Sequence, residues 1–230
     1  GGGVSGAVFR RNCSLACAGK SACANMDFEC GGDTLTCAGA GACKDLLFPC
    51  VGGRFGACSR TCTGAHACVG MRRFGPRNAL RCEGEGACRH LEFHGKELYC
   101  SGGACRDMQV SGVRSLACPG ADTCADTNFV GLNALTCSDG TGACQNAKVA
   151  CGKGAACSVR CSGNAERNMC RDITIDGEAS STLSFEVDVQ GGRYRRHWNT
   201  RAWSPDLGRD HARDSRIRCP GSADGACDVL

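Results

Sequence analysis

The chain has 230 residues, of which 24 are Cys and 34 are Gly, whereas aromatic residues make up only 5%. This much Cys is typical of a disulfide-bonded scaffold from an oxidising compartment, and the absence of any C-x2-C pair argues against structural zinc sites. No apolar run approaches the roughly 20 residues of a membrane span, and the net charge of +4 is modest. We therefore expect a secreted protein with neither a membrane span nor a nucleic-acid partner.

From Leu15 onward the chain repeats the unit L-x-C-x-G-x-x-A-C-x-x-Φ-x-F, in which Φ is apolar. The clearest copies are Leu15–Phe28, Leu35–Phe48 and Leu80–Phe93; looser copies begin at Leu98, Leu116 and Leu135, and degenerate copies at Cys62, Cys161 and Cys219. A propeller blade needs about 40 residues, and a leucine-rich repeat has the pattern L-x-x-L-x-L-x-x-N. The unit fits neither, because it recurs every 18 to 25 residues between Cys17 and Cys161 and lacks that pattern.

Each slot of the unit has a physical role. Leu and Cys alternate about one residue, which is the period of a β-strand with one buried face. The Leu slot holds Leu15, Leu35, Leu80, Leu98, Leu116, Leu135, Val159 and Ile217, and Arg60 alone breaks it. A Gly such as Gly19 or Gly39 follows the first Cys by two residues, where a tight corner needs positive φ. A second strand then points apolar pairs inward: Met26 and Phe28, Leu46 and Phe48, Leu91 and Phe93, Met108 and Val110.

Two short strands and a glycine corner in about 20 residues describe one coil of a solenoid, which buries its apolar face only by stacking on other coils. We predict an all-β fold, a single-stranded parallel β-helix of about nine coils spanning residues 1–190. Right-handed winding is expected from the strong bias of parallel crossovers. Tandem knottin-like domains, the remaining alternative, would lack the Leu and Phe ladders.

The two Cys of each unit flank a glycine corner, and a chain reversal brings such a pair within disulfide reach. The predicted bridges within coils are Cys17–Cys23, Cys37–Cys43, Cys62–Cys68, Cys82–Cys88, Cys100–Cys105, Cys118–Cys124, Cys137–Cys144, Cys161–Cys170 and Cys219–Cys227. The six other Cys form two sets of three by position, and pairing one set with the other predicts Cys50–Cys58, Cys151–Cys157 and, by elimination, Cys13–Cys30. A reactive or metal-bound thiolate would need an odd Cys or a Cys–His cluster, and neither is present.

A polar column lies two residues after each second Cys. It contains Asn25, Asp45, Gly70, His90, Asp107, Asp126, Asn146 and Asp172. The favoured interpretation is a corner position, because Asn, Asp and Gly tolerate tight turns. Two alternatives stay open for Asp107 and Asp126, which adjacent coils would place about 5 Å apart: a catalytic pair for polysaccharide cleavage, or a shared calcium site. No nucleophile signature frames the five His residues, His66, His90, His94, His197 and His211.

The rhythm changes after Cys170. Residues 191–218 form a basic segment with both Trp of the chain and eight Arg against three Asp, and residues 219–230 are predicted as a final partial coil. Arg and Trp are enriched at protein interfaces, so we interpret residues 191–218 as an arm that docks on a neighbouring subunit. The predicted interface residues are Arg193, Tyr194, Arg195, Arg196, Trp198, Arg201 and Trp203. A loop that binds glycans or polyanions is the alternative.

The repeat resembles two groups of known proteins. The C-x5-C corner is similar to that of cysteine-rich insect antifreeze β-helices, but their flat T-x-T array would be imitated here only by Thr34 and Thr36. The longer unit resembles cysteine-rich right-handed β-helix repeats in secreted, adhesive and surface-filament proteins of algae and other protists, over about residues 13 to 175. This resemblance implies the fold and, more weakly, a structural role.

We therefore expect a non-enzymatic extracellular structural protein without a cofactor, which assembles head to tail with copies of itself into a filament or surface coat. Carbohydrate binding or cleavage at Asp107 and Asp126 is the alternative. The sequon at Asn12 makes this residue a candidate glycosylation site. Since the chain opens with three Gly and no signal peptide, we expect an export signal to have been removed or to lie outside this segment.

Overall fold

The computed structural model describes residues 14–27, 34–48, 58–71, 78–163, 169–177, 182–189, 192–198 and 216–218. These residues form an all-β parallel solenoid of about six turns, without a helix. The strands are β1 (Ser14–Ala18), β2 (Thr34–Ala38), β3 (Ser59–Thr63), β4 (Ala79–Glu83), β5 (Glu92–His94), β6 (Glu97–Ser101), β7 (Gln109–Ser111), β8 (Ser115–Pro119), β9 (Asn128–Leu132), β10 (Ala134–Ser138), β11 (Lys148–Cys151), β12 (Ala156–Gly163), β13 (Thr174–Asp176), β14 (Thr182–Val189), β15 (Gly192–Trp198) and β16 (Arg216–Arg218).

The strands lie in three sheets. Two five-stranded sheets hold the strands of the Leu-x-Cys pattern, in the orders β1-β2-β3-β4-β6 and β15-β14-β12-β10-β8. A six-stranded sheet, in the order β16-β13-β11-β9-β7-β5, holds the second strands of the coils. All of these pairs are parallel except β14 with β15. The right-handed winding and the count of nine coils stay predictions.

Like residues stack on like residues along the Leu-x-Cys strands. Leu15 is in register with Leu35, and Cys17 with Cys37. A single buried cluster therefore runs through the described turns, built mainly from Cys, Leu, Ala, Phe and Val side chains. Burial of these side chains is the main stabilising contribution. Because the chain has few aromatic residues, this apolar core is thin and extends along the solenoid.

The corners also join the ladder of backbone hydrogen bonds. Gly19 N–H donates to Ala38 O over 2.8 Å, and Cys23 N–H donates to Ala42 O over 2.7 Å. Gly39 has a φ of +122°, and a Cβ on it would lie 2.8 Å from the carbonyl oxygen of Gly19. Glycine is needed there because the backbone is left-handed and also passes close to the corner of the preceding coil.

Nine disulfides of the described turns have the pairing that the Cys spacing predicts, including Cys151–Cys157 and eight of the bridges within coils. Their Cα–Cα distances run from 5.7 to 6.4 Å, which is ordinary for a disulfide. Cys58 is also disulfide-bonded, and no described Cys is a free thiol. Cys13, Cys30, Cys50, Cys219 and Cys227 lie outside the described residues.

Met26 occupies the predicted inward slot, because the bridge between Asp27 and Leu47 places it opposite the buried Leu46, but it stays 38% exposed since its coil has a described neighbour on one side only. One sequence-based assignment is wrong. Ile217 was placed in the Leu slot, but it is in register with Ile175 in the six-stranded sheet. The strand position that it was expected to fill is occupied by β14, in which Phe185 is in register with Val159.

Candidate functional site

The polar column lies at a corner of the solenoid, as the turn interpretation requires. All seven of its non-glycine members have φ between 54° and 58°, in the left-handed region, and Gly70 has a φ of 70°. Asn and Asp enter this region more readily than other residues with a side chain, because their short polar side chains can hydrogen-bond to the local backbone. The backbone conformation therefore accounts for most of the residue types in this column.

The two aspartates suspected of catalysis are held by arginines of the preceding coil. Arg89 Nε donates to Asp107 Oδ2 over 2.8 Å, and Arg106 Nε donates to Asp126 Oδ2 over 3.3 Å. Asn146 Nδ2 also donates to Asp126 Oδ1 over 2.9 Å. Each carboxylate thus ties one coil to the next.

The arginines of these ion pairs were not singled out in the sequence, although a signal for them exists. A basic residue directly follows the second Cys of several units: Lys44, Arg89, Arg106 and Arg171. This position lies next to the acidic column, so a cation there can reach an acidic side chain of the next coil. Stacking of coils thus pairs Arg89 with Asp107 and Arg106 with Asp126, whereas Arg171 pairs with the adjacent Asp172 of its own coil.

Arg60, the one exception in the Leu slot, is fully buried between Leu35 and Leu80 of the flanking strands. Its Nη2 donates to the carbonyl oxygen of Phe48 over 2.7 Å, and its guanidinium carbon lies 5.6 Å from the centroid of the Phe48 ring. Burial lowers the pKa of Arg60 well below its ordinary value, to about 10, because removal from water disfavours the charged guanidinium. The side chain fastens the third turn to the second.

An open cavity of about 980 Å³ lies on the outer face of the six-stranded sheet, over β5, β7 and β9. Its lining includes the outward-pointing side chains of His90, Glu92, His94, Gln109 and Ser111. The alternate residues of these strands, such as Phe93 and Val110, are buried in the core, and the outer face is polar apart from Val130, which is 51% exposed. It offers imidazole, carboxylate, amide and hydroxyl groups for a ligand.

A second exposed feature lies on the outer face of the Leu-x-Cys strands. The guanidinium carbon of Arg81 lies 4.5 Å from the centroid of the Tyr99 ring, and its Nε donates to Glu83 Oε1 over 2.7 Å. Tyr99 is 42% exposed. A stacked Arg–Tyr pair of this kind is a modest surface contact.

Comparison with known proteins finds no relative. No family model matches the chain, and neither does any curated protein or any solved structure. The resemblance to surface-filament repeats therefore has no independent support, and the function has to be argued from the solenoid itself.

Two groups of Cys sulfur atoms lie close together among the buried residues. Cys37, Cys62 and Cys68 have Sγ atoms within 4.8 Å of one another, as have Cys137, Cys161 and Cys170. All six are in disulfides, so they offer no thiolate to a metal.

Among the described residues there is no helix long and apolar enough to cross a membrane.

The predicted arm contributes a strand at each of its ends. Residues Gly192–Trp198 form β15, which pairs antiparallel with β14, and Arg216–Arg218 form β16, which pairs in parallel with β13. The predicted interface residues Arg193, Tyr194, Arg195, Arg196 and Trp198 therefore lie on an added strand of the second Leu-x-Cys sheet. Arg201, Trp203 and the Asn12 sequon lie outside the described residues.

Proposed function

We propose that this protein is a non-enzymatic extracellular structural rod, a right-handed solenoid of about nine coils that assembles head to tail into a filament or surface coat. The observation that carries the proposal is the in-register stacking of like residues, with a disulfide in each turn from Cys17 to Cys170. Such a structure has few degrees of freedom along its length. Its properties suit mechanical stiffness and resistance to digestion.

The disulfides bear on both location and durability. Structural disulfides persist in oxidising environments, which supports secretion or display at a cell surface. Each closed loop is short, such as the six-residue separation of Cys82 and Cys88, so a bridge contributes about 2 kcal/mol. Because each of the nine described bridges joins residues at most nine positions apart, local opening there does not release long stretches of chain.

The edge of the first described coil supports the proposed assembly. Backbone N–H groups of this coil donate to carbonyls of the second coil, whereas the carbonyl groups of Lys20, Ala22 and Ala24 accept no backbone hydrogen bond from described residues. Leu15 is only partly buried and Met26 is exposed. A row of acceptors beside apolar side chains is the kind of edge to which another chain can pair.

The other end has a different edge. Because β15 runs antiparallel to β14, a following subunit that continues the solenoid would place its own β1 antiparallel to β15. The two ends are unlike, so the contact is heterologous, and a heterologous contact that does not close produces a filament. The proposed arm contacts, led by Trp198 and Trp203, would strengthen it.

Electron microscopy of the purified, oxidised protein tests the proposal. We expect fibres for the parent and shortened fibres or none for the double variant Trp198→Ala/Trp203→Ala, with all disulfides retained. Tyr99→Ala is the matched control, because it removes an exposed aromatic side chain from the side of the rod. If the parent sediments as a monomer at high concentration, the assembly proposal is wrong.

Carbohydrate binding or cleavage is the second candidate, supported by the polar cavity above β5, β7 and β9. In this alternative Asp107 and Asp126, at the adjacent corner, would act on a glycan. Incubation with a panel of acidic and neutral polysaccharides tests it by product release and by retention on a glycan array. Cleavage that is lost in Asp107→Asn and Asp126→Asn would favour this alternative over the structural rod.

A further inference from the structure

The cavity over β5, β7 and β9 lies on three turns of the solenoid that are shorter than the turns on either side. The turns that begin at Cys82, Cys100 and Cys118 take 18 or 19 residues to reach the next repeat. Those that begin at Cys62 and Cys137 take 20 and 24 residues. Because the strands of these turns stay in register, the additional residues belong to the connections between strands. The three short turns therefore leave a recess, which is the open cavity of about 980 Å³.

A row of amide and carboxylate side chains lines the cavity along the solenoid axis. Glu92 on β5, Gln109 on β7 and Asn128 on β9 are in register, and all three line the cavity. Neighbouring strands of a sheet lie about 4.8 Å apart, so these groups recur at nearly constant intervals. Such a row matches a ligand that is itself a chain of similar units.

The three side chains of this row have hydrogen-bonding capacity left for a ligand. Glu92, Gln109 and Asn128 make no side-chain hydrogen bond or ion pair with another residue in the described ranges. In the polar column at the corner, by contrast, such groups bind each other, as Asn146 Nδ2 donates to Asp126 Oδ1 over 2.9 Å. A carboxylate accepts hydrogen bonds, and an amide both accepts and donates them. The row can therefore bind hydroxyl groups, which also accept and donate.

A second row beside the first one is less polar. His94, Ser111 and Val130 are in register on the same three strands. The Nδ1 atom of His94 lies 2.8 Å from the hydroxyl oxygen of Ser111, so these two groups bind each other, and Val130 is an apolar side chain that is 51% exposed. A sugar ring likewise has hydroxyl groups at its rim and C–H groups on its faces. Polar groups beside an apolar surface are typical of sites for small organic ligands.

The charge of the lining determines which kind of glycan fits. Glu92 is the one acidic residue of the described lining, which contains neither Lys nor Arg. A sulfated or carboxylated polysaccharide would bring its negative charges to this carboxylate without a Lys or Arg beside it, and juxtaposed like charges oppose binding. A neutral glycan meets no such repulsion.

We propose that this cavity binds a neutral glycan chain that lies along the solenoid axis, with Glu92, Gln109 and Asn128 hydrogen-bonded to hydroxyl groups of successive sugar units. The strand spacing of about 4.8 Å is close to the length of one pyranose unit in an extended chain, so the row and the glycan stay aligned over about three units. The proposal rests on the carbohydrate candidate for its class of ligand, and it adds the charge of the glycan and the residues that bind it. It concerns binding alone and requires neither corner aspartate.

Binding of neutral oligosaccharides to the oxidised, full-length protein tests the site. We expect retention on at least one of immobilised glucan, mannan, xylan and galactan oligosaccharides, and none on alginate or pectate oligosaccharides. Titration with the retained neutral oligosaccharide should shift amide resonances of β5, β7 and β9 and spare β1 and β2. Gln109→Ala and Asn128→Ala should each weaken binding about three- to tenfold, as expected for the loss of a hydrogen bond. Gln145→Ala is the matched control, because Gln145 is a partly exposed glutamine outside the described lining.

Glu92 provides the sharper test. Glu92→Gln keeps a planar group that accepts hydrogen bonds, so it should bind the neutral oligosaccharide as the parent does, whereas Glu92→Ala should bind it about three- to tenfold more weakly. Both variants should unfold at the denaturant concentration of the parent, since Glu92 is exposed. The double variant Asp107→Asn/Asp126→Asn should retain binding, and its failure to bind would place the glycan at the corner and contradict the proposed site.

Three other results would overturn the proposal. The first is an absence of retention on every neutral oligosaccharide. The second is retention on acidic oligosaccharides alone, which would leave the broader carbohydrate candidate standing. The third is a change in the sedimentation of Gln109→Ala or Asn128→Ala with unchanged glycan binding, which would make the cavity a surface for protein contacts.

Discussion

The first described coil and the second follow the same repeat pattern, with seven of 14 positions identical, but have different environments. Leu35 and Leu46 of the second coil are each 1% exposed, whereas Leu15 is only partly buried and Met26 is 38% exposed in the equivalent slots. The second coil has a stacked neighbour on both sides. The difference shows that a coil is buried by its neighbours and contributes little burial by itself.

The last Leu-x-Cys position extends this comparison. In β14, Phe185 and Val187 are in register with Val159 and Cys161, and the strand contains no Cys. Stacking in register is therefore what the position requires, and the disulfide is an additional covalent support. Five predictions, ordered by the size of the expected effect, test how much each contribution is worth.

A substitution at a point where neighbouring corners approach closely should lower the free energy of unfolding the most. Gly39→Ala is expected to lower the free energy of unfolding by about 3 kcal/mol, because a left-handed backbone conformation and a clash with the Gly19 carbonyl both oppose the new Cβ. Gly19→Ala is the matched control in the end coil, where a Cβ would meet nothing within 4 Å. It should cost only about 1 kcal/mol. Denaturant unfolding measures both, and equal costs would contradict the role of stacking.

A disulfide in an interior turn should contribute less to the free energy of unfolding than the stacking of that turn on its neighbours. The double variant Cys82→Ala/Cys88→Ala is expected to lose about 2 kcal/mol through the released loop entropy, while the solenoid keeps its register. Circular dichroism should be unchanged at low denaturant concentration. A variant that fails to fold under these conditions would show that the bridge is required and that stacking alone does not suffice.

Substitution of Arg60 by Leu tests which side chain is more stable in the Leu slot. Arg60→Leu would extend the ladder from Leu35 to Leu80 and remove a buried charge, at the loss of the hydrogen bond to Phe48 O. We expect the variant to be more stable than the parent near neutral pH by about 1 kcal/mol, as is common when a buried ionic group is replaced by a well-packed apolar one. A loss of stability in denaturant unfolding would show that the hydrogen bonds of Arg60 outweigh its desolvation.

The difference in stability between Arg60→Leu and the parent should also depend on pH. Burial lowers the pKa of Arg60 to about 10 in the folded protein, so between this value and the ordinary, higher pKa of arginine the unfolded chain binds more protons than the folded one. The contribution of Arg60 to stability therefore rises as the pH increases through about 10. The gap between Arg60→Leu and the parent should stay constant below about pH 9 and narrow as the pH rises above about 10, and a gap that stays constant there would contradict the buried charge.

The polar column should give the smallest effect. Asp107→Asn and Asp126→Asn keep a residue that tolerates the left-handed corner and remove only partly exposed ion pairs, so each should cost less than about 1 kcal/mol. Thermal unfolding at low and high salt measures this, and the difference should shrink as salt screens the parent's ion pairs. A cost of several kcal/mol would mean that these pairs are essential to the stacking.

The sequence by itself determined the features that repeat within one coil. The alternation of Leu and Cys, the glycine corners and the spacing of Cys predicted the parallel solenoid, the nine described disulfides and the corner position of the polar column. These features depend on local geometry, because a strand period, a tight corner and a short loop closure each involve fewer than about ten residues.

Only the tertiary structure decided which residues of different coils meet. The Ile217-x-Cys219 pattern looks like any other unit, but an earlier strand without Cys, β14, already occupies that position, so Ile217 pairs with Ile175. The inter-coil contact between Arg89 and Asp107 likewise depends on register. Coils of unequal length shift the alignment of everything that follows, and a periodic pattern read along one chain does not contain the pairing between its turns.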